Sequence, residues 1–227
     1  AQAYYKLDQD DNLWVGVVYA NGPHFTSGLE LTDWTDAFTG GGGVPLNPEN
    51  EIDPFYMVNE KRCSKPIIFA VQGYCYTWGV ETMLNADIRV AASDTRFGQL
   101  EVLRGFFPCG GGTIRLARDM GWSNAMRYLL TGDQWNAEDA YRMGLVQHVT
   151  APGKQLEKAM ELARRVASAA PLGVRNILKS GRLAETQGEQ AAKKVIFQDV
   201  AEVMKSEDMK EGLLSFIERR KAVFKGR

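Results

Sequence analysis

The residues best suited to do chemistry are two glutamates, each beside a glycine-marked turn. Val71–Asp87 reads VQGYCYTWGVETMLNAD. The apolar run Pro66–Val71 predicts a buried strand, Gly73 permits a tight turn, and a helix is expected from Trp78 to about Asn85. The first N–H groups of a helix lack internal partners and carry the positive end of its dipole. An oxygen gaining negative charge is stabilised there. Glu81 follows three residues later, on the same face as Trp78. A carboxylate one turn from an oxyanion donor suits enolate chemistry. A glutamate on a helix is more commonly a solvated surface residue, and Glu81 taken alone reads that way.

Phe97–Thr113 reads FGQLEVLRGFFPCGGGT and holds the second carboxylate. Glu101 lies among Leu100, Val102, Leu103, Phe106 and Phe107. Partial desolvation there raises a carboxyl pKa and fits it to hold or deliver a proton. An ion pair with Arg104 or Arg115 on the surface is the alternative. After Pro108, three glycines lead into a helix, where bare backbone N–H groups can approach a ligand or water. A third segment, Ala20–Trp34 (ANGPHFTSGLELTDW), runs from a strand through a turn to Ser27-Gly28-Leu29, where backbone could meet a ligand. His24 is a candidate base, though a lone loop histidine is more often structural or merely exposed.

The elements that must position these residues alternate between strand and helix, the α/β signature. Strands are expected at Leu13–Ala20, Pro66–Val71, Ile88–Ala92, Thr95–Val102 and Leu145–Thr150. Helices are expected at Ala1–Leu7, Thr113–Met120, Ser123–Leu130, from an Asn136 cap to Met143, and at Lys154–Ala170, Gly173–Glu185 and Glu189–Lys205. A last helix follows the cap Ser206, with Glu207 and Asp208 in its first turn. Thr39–Pro54, with Gly40–Gly43 and three prolines, reads as a mobile surface loop or lid without the frame of a nucleotide-binding loop.

The chain has 227 residues, 44% of them hydrophobic, which fits one large domain or one domain with an appendage. A formal net charge of −1 gives no global basic excess for nucleic acid. Cys63, Cys75 and Cys109, with His24 and His148, show no metal-ligand spacing. Each cysteine reads as a small buried hydrophobe in a reducing, cytoplasmic setting. No apolar run reaches the ~18–20 residues of a membrane span.

Together the three segments resemble the crotonase superfamily of enoyl-CoA hydratases and isomerases. Phe25-Thr26-Ser27-Gly28-Leu29-Glu30-Leu31 resembles its F-x-A-G-x-D-L signature. Gln72-Gly73 through Gly79-Val80-Glu81 resembles N-G-x-x-x-G-G-G-x-E. Gln99-Leu100-Glu101 through Gly105, Pro108, Gly111 and Gly112 resembles Q-P-E-x-x-x-G-x-x-P-x-x-G-G, and Arg219–Arg227 resembles the K-R-x-P-x-F-x-G ending. The resemblance implies a spiral of ββα turns over residues 1–150, with its first strands absent, and a helical region over 151–227 that builds a trimer or dimer of trimers and covers coenzyme A. It implies Glu81 and Glu101 as catalytic carboxylates, the N–H groups of Leu29 and Trp78 as the oxyanion hole, and the N–H of Cys109 as a water-positioning donor. Phe25, Leu31, Trp34, Leu103, Phe106 and Phe107 are implied pocket walls, and Ser27, Glu30, Lys221 and Phe224 implied coenzyme A contacts. The implied reaction is syn hydration of a 2-enoyl-CoA without metal or redox cofactor. Isomerisation, thioester hydrolysis or non-catalytic acyl-CoA binding are the alternatives. The sequence departs from the pattern at Thr77, Trp78 and Cys109, where glycines are usual, at Glu30, where aspartate is usual, and at Leu100, where proline is usual.

Overall fold

A computed structural model of the chain describes residues 1–40, 45–58 and 61–227. In chain order the elements are α1 (Gln2–Gln9), β1 (Gly16–Tyr19), α2 (Leu31–Thr39), β2 (Ile67–Val71), β3 (Tyr74–Tyr76), α3 (Trp78–Met83), β4 (Ile88–Ala92) and β5 (Arg96–Gly98). A 3-10 turn at Glu101–Arg104 leads to α4 (Gly112–Met120), α5 (Trp122–Thr131), β6 (Gln134–Asn136), α6 (Ala137–Arg142) and β7 (His148–Thr150). The helices α7 (Gln155–Ala167), α8 (Pro171–Gln187), α9 (Glu189–Met204) and α10 (Glu207–Ile217) complete it. Of the loop expected at Thr39–Pro54, residues 41–44 lie outside the described residues, Thr39 ends α2, and residues 45–54 form no helix or strand.

Two compact units emerge. The first takes Ala1–Lys6, Val17–Arg62 and Ile67–Glu161; the second takes Leu7–Gly16, Cys63–Pro66 and Leu162–Arg227. In the first, a four-stranded sheet runs β1-β2-β4-β7 and a three-stranded sheet runs β3-β5-β6. From β2 to β5 the strands go alternately to the first and the second sheet, so β2-β3-α3 and β4-β5 with its helices are turns of an α/β spiral. The register is parallel at β2–β4, β4–β7 and β3–β5, and antiparallel at β5–β6. Every side chain of β2 (IIFAV) is buried, as a strand covered on both faces requires. In β4, Arg89 is buried too, and donates to the carbonyls of Met83, Leu145 and Leu84 while pairing with Asp119 at 2.6 Å.

The strand expected at Thr95–Val102 is shorter. It ends at Gly98, because Leu100 (φ −93°, ψ 1°) leaves the extended region and Glu101 opens the 3-10 turn. The first and last expected strands also shrink, to Gly16–Tyr19 and His148–Thr150. Helix α2 and the short strands β3 and β6 were not expected.

In the second unit, Asp208 at the start of α10 anchors the C-terminal residues. Its carboxylate accepts from the N–H groups of Lys225 (2.6 Å) and Gly226 (2.8 Å). Glu211 accepts both guanidinium arms of Arg220 and the Val223 N–H. The Phe224 ring lies over Gly212, and Lys221 is exposed.

Candidate active site

The first unit contains a cavity of about 200 Å³ lined by Ser27, Leu29, Leu31, Thr77, Trp78, Leu100, Glu101, Arg104, Phe106 and Cys109. Loop 26–31 is fixed to β3: Thr26 N–H donates to the Tyr74 carbonyl, and Tyr76 N–H donates to the Thr26 carbonyl. The Thr26 hydroxyl then accepts from Gly28 N–H at 3.2 Å. Gly28 has φ +113°, and a Cβ there would stand 2.3 Å from the Thr77 hydroxyl. Only glycine lets this loop approach the turn that starts α3. Leu29 and Trp78 therefore line one cavity, and neither backbone N–H has a hydrogen-bond partner among the described residues.

Thr77 makes that turn in a strained backbone conformation (φ 48°, ψ −112°). Its N–H donates to the Gly98 carbonyl at 2.8 Å, which ties the start of α3 to β5. Its hydroxyl is buried and unpartnered among the described residues.

Glu81 is fully buried rather than solvated, which overturns the surface reading of this residue. Its Oε1 accepts two backbone hydrogen bonds, from Gly110 and Gly112, each at 2.8 Å. A Cβ on Gly110 would lie 2.8 Å from Oε2, so the glycine-rich stretch lets backbone close around the carboxylate. Oε2 has no partner among the described residues. Burial pushes the Glu81 pKa up to about 7; the Gly112 bond opposes this and the Glu101 charge adds to it. Glu101 is buried, and desolvation raises its pKa to about 7 as well. Partial desolvation raises the Cys109 pKa, and the charges of both carboxylates add to this. Glu101 lines the cavity, whereas Glu81 does not; it lies against Gly110, the residue after the cavity-lining Cys109.

Other expected residues divide. Leu31, Phe106 and Ser27 line the cavity. Trp34 stands behind Trp78, with ring centroids 5.0 Å apart, and Phe25 turns to Phe69 of β2 at 5.7 Å. Leu103 does not line the cavity: it is 57% exposed and lies over Gly132, at the end of α5. Phe107 does not either, being 68% exposed. Glu30 is exposed and accepts from the Thr32 hydroxyl. Lys221 and Phe224 belong to the second unit. Cys63 and Cys75 are buried as expected, but Cys109 is exposed at the cavity. His24 is structural: its ring stacks on Tyr74 at 4.2 Å and its Nδ1 accepts the Tyr74 N–H at 3.1 Å.

Residues 1–227 match the family model for enoyl-CoA hydratase/isomerase. The chain is 35% identical to the enoyl-CoA hydratase EchA19 of Mycobacterium tuberculosis, over all of this chain and 85% of that protein. This chain belongs to the enoyl-CoA hydratase/isomerase family. Within that family it is also 31% identical to the 2,3-dehydroadipyl-CoA hydratase of Escherichia coli, over 96% of this chain and 83% of that one. Its fold matches that of a probable enoyl-CoA hydratase/isomerase from Mycobacterium abscessus with a TM-score of 0.96 at 40% identity, over all of this chain and 86% of that structure.

Several features of this enoyl-CoA hydratase/isomerase family member escaped sequence reasoning. Gln99 is buried, and its amide, oriented by its surroundings, points NH₂ at both Glu101 oxygens (3.1 and 3.3 Å) and at the Thr77 carbonyl (3.3 Å). Arg104 lines the cavity because residues three apart eclipse in a 3-10 turn, which puts it on the Glu101 face. Phe38 of α2 and Phe55 reach the Trp78 indole, at 6.3 and 4.8 Å. Only Gln99 left a signal, as the first residue of the Glu101 motif.

Proposed function

We propose that the protein hydrates a 2-enoyl-CoA thioester to the 3-hydroxyacyl-CoA, with Glu81 and Glu101 as its acid/base pair. The observation that carries this reading is the pair of buried carboxyls: Glu101 on the wall of the cavity that Leu29 and Trp78 line, and Glu81 held by Gly110 and Gly112 next to the cavity-lining Cys109. Relatives named enoyl-CoA hydratase support hydration as the reaction.

The thioester oxygen takes the N–H groups of Leu29 and Trp78. This stabilises the enolate that forms as water adds, and one such donor is worth roughly 3 kcal/mol in comparable sites. One water lies between the carboxyls, with the Cys109 N–H as a further donor. Its oxygen bonds to Cβ, the ionised carboxylate takes its proton, and the protonated partner delivers a proton to Cα. Two neighbouring carboxyls with similar pKa values share a proton over the neutral range, so that single-proton state belongs to the pair. The unpartnered Glu81 Oε2 is the acceptor this water satisfies. No electrons change hands, so the reaction requires no redox cofactor. Ser27 and Glu30 are the proposed coenzyme A contacts beside the cavity, and Lys221 and Phe224 those supplied across a subunit boundary.

A panel of enoyl-CoA thioesters, followed by loss of the conjugated-enoyl absorbance, tests the reading. At least one is hydrated by the wild type, and Glu81→Gln and Glu101→Gln each lose about 10²-fold or more, the typical size of a positioned acid or base. Failure with every thioester sinks hydration. Double-bond migration that survives Glu81→Gln points to a single-base isomerase, and release of free thiol to a hydrolase.

A further inference from the structure

The family resemblance expects glycine where this chain has Trp78, so the residue supplying an oxyanion-hole N–H also carries a large side chain. The indole is held from several directions. Trp34 meets it edge-on at 5.0 Å, Phe38 of the same helix stands perpendicular at 6.3 Å, and the buried Phe55 lies at 4.8 Å. Trp34 and Phe38 also touch one another, at 6.1 Å. Swinging the indole away means displacing this aromatic group, so Trp78 is a fixed wall rather than a movable one. Trp78 and Cys109 both line the cavity, which puts the indole-bearing residue on its boundary.

Two consequences follow from size. The cavity measures about 200 Å³, below the ~300–1,000 Å³ of sites that enclose drug-sized ligands. The indole also belongs to the residue that binds the thioester oxygen, so the wall stands close to the carbonyl carbon. An acyl chain starting at that carbonyl meets it soon after the reacting double bond. We propose that Trp78 sets the acyl-length limit, so that the protein accepts short 2-enoyl thioesters and discriminates against long ones. This deepens the hydratase reading and rests on it in one respect: the thioester carbonyl must sit at the Leu29 and Trp78 N–H groups.

The test compares kcat/KM for crotonyl-CoA and 2-octenoyl-CoA in the wild type and in Trp78→Leu. Binding of butyryl-CoA and octanoyl-CoA, which cannot react, is measured alongside by calorimetry. An apolar pocket open to the chain gains about fourfold per buried methylene. The wild type instead loses with length, and the octenoyl-to-crotonyl ratio rises about tenfold or more in the leucine variant, where added methylenes find room. A wild-type ratio at or above one, or a ratio unchanged by Trp78→Leu, overturns the proposal. Should circular dichroism show that this variant does not fold, Trp34→Ala, which removes the support behind the indole, takes its place in the same comparison: a raised ratio upholds the proposal and an unchanged one overturns it. If the wild type hydrates nothing, the hydratase reading falls while the binding arm still decides length: tighter butyryl-CoA upholds the limit, and tighter octanoyl-CoA refutes it.

Discussion

At the scale of single residues, Glu81 combines two opposed demands. Two backbone N–H groups hold one oxygen in a geometry that favours the anion, while full burial favours the neutral acid. Burial wins, and the pKa rises from 4.5 to about 7. The folded protein therefore binds a proton at Glu81 that the unfolded chain has already lost between pH 4.5 and 7. Stability from this group is present at the acid end of that window and is lost as pH rises through the folded value, up to roughly 3 kcal/mol. Glutamine keeps the carbonyl acceptor for Gly110 and Gly112 but cannot ionise. Glu81→Gln is expected to match the wild type in stability near pH 5 and to exceed it increasingly toward pH 8, by denaturant unfolding at each pH. A stability difference that stays flat across that range removes the buried-anion account. The order of the motifs singled out Glu81 and Glu101, and the fold buries both. The grip of Gly110 and Gly112 on Glu81 was not, because it joins residues about thirty positions apart that only the fold brings together. Cys109, read as a buried hydrophobe because free cysteine usually is one, is exposed; only its place in the third motif set it at the cavity.

At the scale of elements, legibility follows the strength of the local signal. Strands β2 and β4 lie where the sequence predicts them, β2 in a continuous apolar run, and both expected caps form: the Asn136 side chain accepts Asp139 N–H at 2.8 Å, and the Ser206 hydroxyl accepts Met209 N–H at 3.0 Å. Strands of three residues, such as β3 and β6, are too short to show a period of two. Helix α2 escaped notice because Glu30 at its N-cap makes no side-chain capping bond and the helix buries none of its residues fully. That omission hid the aromatic support of Trp78, since Trp34 and Phe38, four residues apart, become neighbours only once the segment is helical. The Asn136 cap matters beyond α6, because Asn136 also closes the β5–β6 register opposite Arg96. Asn136→Ala is expected to destabilise the protein by about 1 kcal/mol, the usual worth of such a cap. Chemical denaturation reads this directly, and a loss below a few tenths of that value shows that the cap is dispensable.

At the scale of the whole molecule, the sequence suggested a sheet-rich front half and a helical tail, and the alternation of strand and helix was enough to reach the α/β class. Lost to sequence reasoning was the contribution of Leu7–Gly16 and Cys63–Pro66 to the second unit, which comes from chain return rather than local pattern. That unit presents an exposed apolar surface. Ile177 is 72% exposed on α8 and Phe197 83% exposed on α9, and a groove of about 470 Å³ between these helices is lined by Ile177, Ile196, Val200, Val203 and Met204. Contiguous apolar exposure of this kind marks an interaction surface. The expected occupant is a second copy of the chain, in the trimer or dimer of trimers implied by the resemblance. Val200 and Met204 lie one helical turn apart and both line the groove, so aspartates at both positions would put two charges into any such interface. Sedimentation of the wild type is expected to give an oligomer whose thermal midpoint rises with protein concentration, because association stabilises only the folded chain. The Val200→Asp, Met204→Asp double variant is expected to sediment as a folded monomer with a concentration-independent midpoint. A wild type that sediments as a monomer at every concentration, or a double variant that keeps the wild-type mass, shows that this groove is not where copies meet.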